Sequence, residues 1–407
     1  MGKKKSVLFV IVLLVLTNAI TFGLTNILTL QFDNRVIIPR GEYEQLYSTY
    51  MDYSKVSYVE NIVRENYLRD VDDNAMLDGQ LKGLVQSLND PYSQYLTVDE
   101  FQSLAEQTSG TYGGIGVIVT PGDDNYITVV SPIEDTPGER AGLKTGDKIL
   151  AVDGVEYTAE NMDAAVKVMK GEPNTKVTIT IMRRDSEGSN QTLDVEITRE
   201  IIRLVTVKSS ILDDRLGYIK ITSFDEITYG DFKADLNELE KRGVEGLIID
   251  LRSNPGGLLN ICADIADELL GEGDIVYTET KAGEREYLKS DKSQTTLPLV
   301  VLINGGSASA SEILAGAIRD HNRGELIGTT TFGKGVVQRI RQFDDGSGIK
   351  LTISEYFTPN GDNIHGIGID PDIVVELPED IEGIGVEYID SDTQLQKAME
   401  VLNSKIK

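Results

Sequence analysis

Two unbroken apolar runs constrain this chain more than any other feature. Residues 246–251 read Gly-Leu-Ile-Ile-Asp-Leu and residues 299–303 read Leu-Val-Val-Leu-Ile. Such runs suit strands buried on both faces, which is the situation in a parallel sheet covered by helices. Each run opens into a loop of small residues and then into a helical pattern. The first loop is Arg252-Ser-Asn-Pro-Gly256-Gly257, ahead of a helix at about 258–270; the second spans 305–311, ahead of a helix to about His321. With a strand at 216–221 and a helix at 230–242 before them, the pattern is α/β. Both loops then fall at carboxyl ends of strands, where such folds place their sites.

The second loop carries the chemistry. It reads Asn304-Gly-Gly-Ser-Ala-Ser309-Ala-Ser-Glu312, and Thr331-Phe-Gly-Lys334-Gly-Val-Val-Gln338 follows it. A hydroxyl at a helix start sits among free backbone N–H groups and at the positive end of the helix dipole. Both stabilise the oxyanion formed when the hydroxyl attacks a carbonyl, and the neighbouring glycine loop is placed to give a second donor. Ser307, Ser309 and Ser311 compete for the role, and any of them could instead cap the helix. Lys334 is flanked by glycines, so its backbone can approach a cleft closely. To serve as a base it must be neutral, which demands burial. Residues 337–343 alternate like a strand, and Gln338 returns to the face of Lys334. A neutral amide there orients an amine without raising its pKa. The chain has only two histidines, His321 and His365, so a Ser–Lys pair is the available engine for amide hydrolysis.

Composition narrows the classes further. Net charge is −27, and residues 1–32 hold three lysines and no acids. The body is therefore more acidic still, and it would be repelled by nucleic acid. The single cysteine, Cys262, precludes an intrachain disulfide and reads as a small core residue. No His or Cys spacing suits a metal, and no cofactor is expected. Lys3-Lys4-Lys5 precede an uncharged stretch at 6–30, long enough as a helix to span a bilayer. The lysines predict a cytoplasmic N-terminus and an extracytoplasmic body. Thr17-Asn18-Ala19 offers a cleavage site; the apolar run continues past it, so the segment is read as an anchor, the alternative being a body secreted after cleavage.

Residues 43–108 carry a helical pattern with Leu77, Leu81, Leu84, Val85 and Leu88 on one face, and Thr97-Val-Asp-Glu100 is a capping box. Glycines then punctuate short strands around one helix at 159–170. The stretch Ala141-Gly-Leu-Lys-Thr-Gly146-Asp147-Lys-Ile-Leu-Ala-Val-Asp153-Gly154 closely resembles bacterial PDZ domains. These bind peptide C-termini by strand addition. Gly113, Gly114, Ile115 and Gly116 are the expected carboxylate-binding loop.

Gly-Ser-Ala-Ser-Ala-Ser-Glu-Ile and Thr-Phe-Gly-Lys-Gly-x-x-Gln, with Asp90-Pro-Tyr-Ser-Gln-Tyr-Leu96, Thr358-Pro-Asn-Gly361 and Gly368-Ile-Asp-Pro-Asp-Ile373, resemble the carboxyl-terminal processing (tail-specific) protease family. The resemblance covers roughly residues 60–373. It implies a crotonase-like, ClpP-like α/β protease core with an inserted PDZ domain and N-terminal helices. It also implies Ser309 as nucleophile, Lys334 as general base, Gln338 as its positioner, and the N–H groups of Ala310 and Gly257 as the oxyanion hole. The expected partition is an anchor at 1–32, helices at 33–108, PDZ at 109–198, protease core at 199–380 and a helical tail at 381–407. The expected partners are protein or peptide substrates with apolar C-termini, the membrane, a second copy in a homodimer, and a regulatory protein.

Three other readings compete. Gly328-Thr-Thr-Thr-Phe-Gly333-Lys334 has phosphate-loop spacing, but Gly335 replaces the magnesium-binding hydroxyl and a strand pattern follows. Ser347-Gly-Ile-Lys350 has Ser-x-x-Lys spacing but sits in a turn. A non-enzymatic PDZ scaffold at the membrane would leave the Ser309, Lys334 and Gln338 set without a purpose.

Overall fold

A computed structural model describes residues 2–26, 31–32, 35–36, 38–184 and 188–406. The chain divides into two compact units, residues 1–80 and 81–407. In the first, the expected anchor forms the helix Gly2–Asn26. Its side chains at 6–22 are all exposed; residues 27–30 lie outside the described set. Among the described residues, no helix is long and apolar enough to cross a membrane. The helix Arg40–Asn66 follows and buries none of its side chains. Of the apolar face expected at 77–88, Val85 is buried, whereas Leu77, Leu84 and Leu88 are exposed.

In the second unit, six strands form one sheet in the order Val207–Leu212, Leu216–Ile221, Gly246–Asp250, Leu299–Ile303, Gly324–Gly328 and Ile373–Val374. The first pair is antiparallel and the rest are parallel. The two apolar runs are its central strands, with every residue buried. Their side chains alternate between faces. Leu247, Ile249, Val301 and Ile303 join the core built with the helices Thr228–Lys241, Leu259–Leu269 and Ala310–Asp320. Ile248, Val300 and Leu302 pack on the opposite face against Leu395, Ala398 and Leu402 of the helix Thr393–Lys405. The segment expected as a C-terminal tail is thus a core element. Each fully buried aliphatic side chain stabilises the fold by about 1.5–3 kcal/mol, which is why both faces carry unbroken apolar sequence.

That last helix is also tied down electrostatically. Arg252, at the end of a central strand, is fully buried between Asp250 (2.6 Å) and Asp392 (2.8 Å). Gln394 accepts a further bond from the guanidinium, and the Tyr218 hydroxyl donates to Asp250. Asp392 caps the helix by accepting from the Leu395 N–H. Burial alone would raise the Asp392 pKa, but Arg252 holds it below the usual carboxylate range.

A second, antiparallel sheet runs Arg285–Ser290, Gly273–Thr280, Gly348–Phe357 and Val336–Gln342. The short strand Gln94–Leu96 adds to the start of Gly348–Phe357. The region expected as a PDZ domain is a separate antiparallel sheet with the helix Met162–Met169 and its own core around Ile127, Ile149, Ile179 and Ile181. The ribbon of Thr111–Gly114 with Glu200–Arg203 joins it to the rest.

Replacing Asp392 by Ala leaves Arg252 buried with half of its counter-charge removed. The expected loss of stability is about 3–5 kcal/mol, read as a drop in the urea midpoint of the full chain. Because the Asp392 pKa is depressed, its contribution is complete above the unfolded carboxylate pKa and is lost as pH falls through the folded value. The gap between wild type and Asp392→Ala should therefore narrow in acid.

Candidate active site

The serine loop ends strand Leu299–Ile303 and opens the helix Ala310–Asp320. It separates its three serines by burial and bonding. Ser307 is fully buried and donates to the Leu251 carbonyl at 2.8 Å. Ser311 is fully buried and donates to the Asn254 carbonyl at 2.9 Å. These two stitch the serine loop to the loop after the neighbouring strand. Ser309 alone is half-exposed, and it lines a cavity of about 290 Å³ together with Gly257, Ala310, Lys334, Gln338 and Lys350. Its backbone has φ 55° and ψ −114°, a conformation that non-glycine residues rarely hold. Such strain collects at functional sites.

Glu312 fixes the lysine loop against this serine. Its carboxylate is fully buried and accepts from the N–H groups of Ser309 (2.8 Å), Gly333 (2.7 Å) and Lys334 (2.8 Å) and from the Thr331 hydroxyl (2.6 Å). A second bridge comes from the buried Tyr356, whose hydroxyl reaches the carbonyls of Ser309 and Lys334. The strand Val336–Gln342 follows, so the Gly-x-x-x-x-Gly-Lys stretch does not open a helix as a phosphate loop would.

The Lys334 amine lies 4.8 Å from the centroid of the Tyr92 ring. Burial lowers its pKa and the charge of Lys350 lowers it further, while Asp90 and Glu312 oppose them; the net direction is downward. Gln338 lies just after a bulge between Val337 and itself, the kind of irregularity that re-aims a side chain. Its amide nitrogen donates to Thr352 Oγ1 at 3.3 Å and the Val336 carbonyl at 3.4 Å. Among the described residues, no hydrogen bond joins it to the Lys334 amine.

The Ala310 and Gly257 N–H groups border the same cavity, and among the described residues neither donates to another protein group. The glycines at 256 and 257 are required here. A Cβ on Gly256 would lie 2.9 Å from the Ser309 Cβ, and one on Gly257 would lie 2.4 Å from the Phe224 carbonyl oxygen. Ser347, by contrast, is buried and bonded to Asp345, so it is no nucleophile.

The expected peptide-binding loop divides. Gly113 and Gly114 belong to the ribbon with Glu200–Arg203. The Ile115 side chain enters the PDZ core. Gly116, at φ 72°, turns the chain into strand Val117–Pro121, the open edge of the PDZ sheet. The PDZ helix holds the helix Val98–Ser109 through Lys167 to Asp99 (2.5 Å) and Lys170 to Glu106 (2.8 Å). Leu104, Gln107 and Thr108 of that same helix wall the cavity that holds Ser309 and Lys334.

Residues 215–375 match the model for peptidase family S41, residues 128–183 a PDZ domain, and residues 14–100 the activating protease CtpB N-terminal domain. A carboxy-terminal-processing protease of Bartonella bacilliformis is 38% identical over 355 residues, 85% of this chain and 80% of that one. The chain belongs to peptidase family S41. The carboxy-terminal processing protease CtpA of Bacillus subtilis is 37% identical, over 87% of this chain and 75% of its own. Among solved structures, a photosystem II D1 C-terminal processing protease matches at 30% identity and TM-score 0.47, over 81% of this chain and 89% of that one. This S41 enzyme is a carboxy-terminal-processing serine protease with a PDZ domain.

Sequence reasoning missed three participants in the protease site. Glu312 was legible, since Ser309-x-x-Glu312 has capping-box spacing, but its reach to the lysine loop was not. Tyr356 and Tyr92 left no local signal, because each acts on residues distant in the chain. Replacing Glu312 by Gln points an NH₂ group at N–H donors. It should lower cleavage of an unstructured protein about a hundredfold and lower the melting temperature, both measured on the full chain in detergent.

Proposed function

We propose that the protease cleaves its substrates through a Ser309–Lys334 dyad assisted by Gln338. The observation that carries this is the cavity where the one half-exposed serine among Ser307, Ser309 and Ser311 meets a half-buried lysine of lowered pKa. Neutral Lys334 takes the Ser309 proton as Oγ attacks the scissile carbonyl. The oxyanion is received by the N–H groups of Ala310 and Gly257. The lysine ammonium then protonates the departing amine, and a water activated by the same lysine hydrolyses the acyl-enzyme. Gln338 acts as a neutral positioner of the amine, its re-aimed strand bringing the amide to the cavity.

The PDZ domain, in this reading, receives an apolar substrate C-terminus as an added strand on Val117–Pro121. Free N–H groups at Ile115 and Gly116 meet the carboxylate. The PDZ helix shares the helix Val98–Ser109 with the cavity, which gives it a route to gate cleavage and a regulatory partner a place to act. The N-terminal helix anchors the body on the extracytoplasmic side, or is removed to release it. The exposed tyrosines of Arg40–Asn66 suit a homodimer contact.

The test is cleavage of an unstructured protein with an apolar tail by the full chain in detergent, with fragments identified by mass spectrometry. Ser309→Ala and Lys334→Met should each reduce the rate a thousandfold or more, on the scale of triad removals. Equal cleavage by wild type and both variants would reject the dyad. Activity of the wild type should rise with pH along a limb set by Lys334, lying below the ordinary lysine range, because the neutral amine is the active form. The same burial disfavours folding wherever the unfolded lysine is protonated. Lys334→Met should therefore raise the melting temperature as it abolishes activity.

A further inference from the structure

Besides Lys334, one other cation lines the Ser309 cavity among the described residues, Lys350. It comes from the strand Gly348–Phe357, opposite Ile340 on one side and Gln94 on the other. It lines the catalytic cavity of about 290 Å³ and also an adjoining cavity of about 410 Å³, the two sharing Leu104, Gln107 and Lys350. The lysine therefore stands where the two cavities meet, with Ser309 and Lys334 on one side of it.

Lys350 is half-buried, and among the described residues its amine has neither an ion-pair nor a hydrogen-bond partner. This is unexpected in a chain of net charge −27. Neighbouring lysines are paired: Lys82 with Glu100, Lys167 with Asp99 and Lys170 with Glu106. Asp99 and Glu100 both border the adjoining cavity, yet each is occupied by another lysine. The remaining carboxyl of the catalytic cavity, Asp225, is bonded by the Ser223 hydroxyl. A lysine left unpaired at the cavity while the nearby acids are taken is a vacant half of an ion pair. An anion that reaches it gains a charge-assisted hydrogen bond.

We propose that Lys350 binds a carboxylate of the peptide substrate beside the scissile bond, and so sets a preference for acidic over neutral groups at that position. This rests on the cavity being the site of peptide cleavage. The carboxylate has two sources, the substrate's own C-terminus or an Asp or Glu side chain. The net acidity of the body would repel either at long range, so the preference must be generated locally, inside the cavity.

The experiment reads binding and so does not depend on turnover. Full-chain Ser309→Ala in detergent is titrated with short fluorescent apolar peptides in matched pairs. One pair differs only in a free or amidated C-terminus; the other carries Glu or Gln internally with an amidated end. The titrations are repeated after adding Lys350→Met, Lys350→Glu or Lys350→Arg. The acidic member of at least one pair should bind about tenfold more tightly, the scale of a charged hydrogen bond. That ratio should fall to near one with Met, invert with Glu and survive with Arg; the pair that responds names the source. A ratio of one in both pairs for Ser309→Ala alone would overturn the proposal. So would a ratio that Lys350→Met leaves unchanged, which would place the carboxylate on the PDZ loop. Neither result would bear on the dyad, which stands or falls on cleavage by the Ser309 and Lys334 variants.

Discussion

The buried carboxylate of Glu312 is the interaction on which the rest of the site depends. Ser309 and Lys334 sit on loops that leave neighbouring parallel strands, and neither loop has regular structure of its own. Glu312 accepts an N–H from each residue, another from Gly333 and the Thr331 hydroxyl. A hydrogen bond to a charged group contributes about 1.5–3 kcal/mol, whereas a buried carboxylate without partners is penalised by several. The cluster is therefore nearly all-or-none: losing one donor raises the energetic burden on those that remain. That is how two irregular loops acquire the definition of a helix or a strand.

The sheet beneath supplies the rigid frame. Its central strands are buried on both faces, so neither can slip by one residue without exchanging two complete apolar sets. One face is closed by the serine helix and its neighbours, the other by the C-terminal helix. Arg252 joins the two levels: it stands at the head of the glycine loop and its guanidinium holds the capping residue of that last helix. The far end of the chain thereby supports the loop that carries Gly257. A buried ion cluster is weak evidence for stability in itself, but here it fixes which ends meet.

Much of this was legible in the chain, for identifiable reasons. The α/β core followed from two unbroken apolar runs, and the PDZ domain from a long ordered motif. Short-range patterns such as the capping box at Thr97 and Glu100 are present in the structure. Long-range juxtapositions were not legible. Tyr92 meets Lys334 only because the strand Gln94–Leu96 pairs with Gly348–Phe357, and no periodicity records such a pairing. Ser307, Ser309 and Ser311 were equivalent in sequence. They separated only once their carbonyl partners on the neighbouring loop were placed. The helical tail proved to be part of the core because amphipathicity tells which face is buried, not what buries it.

The lysine base proposed above raises a balance that a histidine base does not. Its ordinary pKa leaves almost no neutral amine near pH 7, so the protein must oppose the charge without leaving the amine unable to accept a proton during the reaction. Burial and Lys350 push in one direction, Asp90 and Glu312 in the other. The Tyr92 ring adds to the second group, since an aromatic face favours a cation. Such opposition is useful. Burial alone would favour neutrality so strongly that the ammonium formed on attack would be a poor state to pass through. In the mechanism proposed above, the acids and the ring nearby would stabilise that ammonium as it forms. In the dyad proposed above, Lys334 would need both sets of neighbours at once. Two loops and a distant strand supply them together, which one element could not.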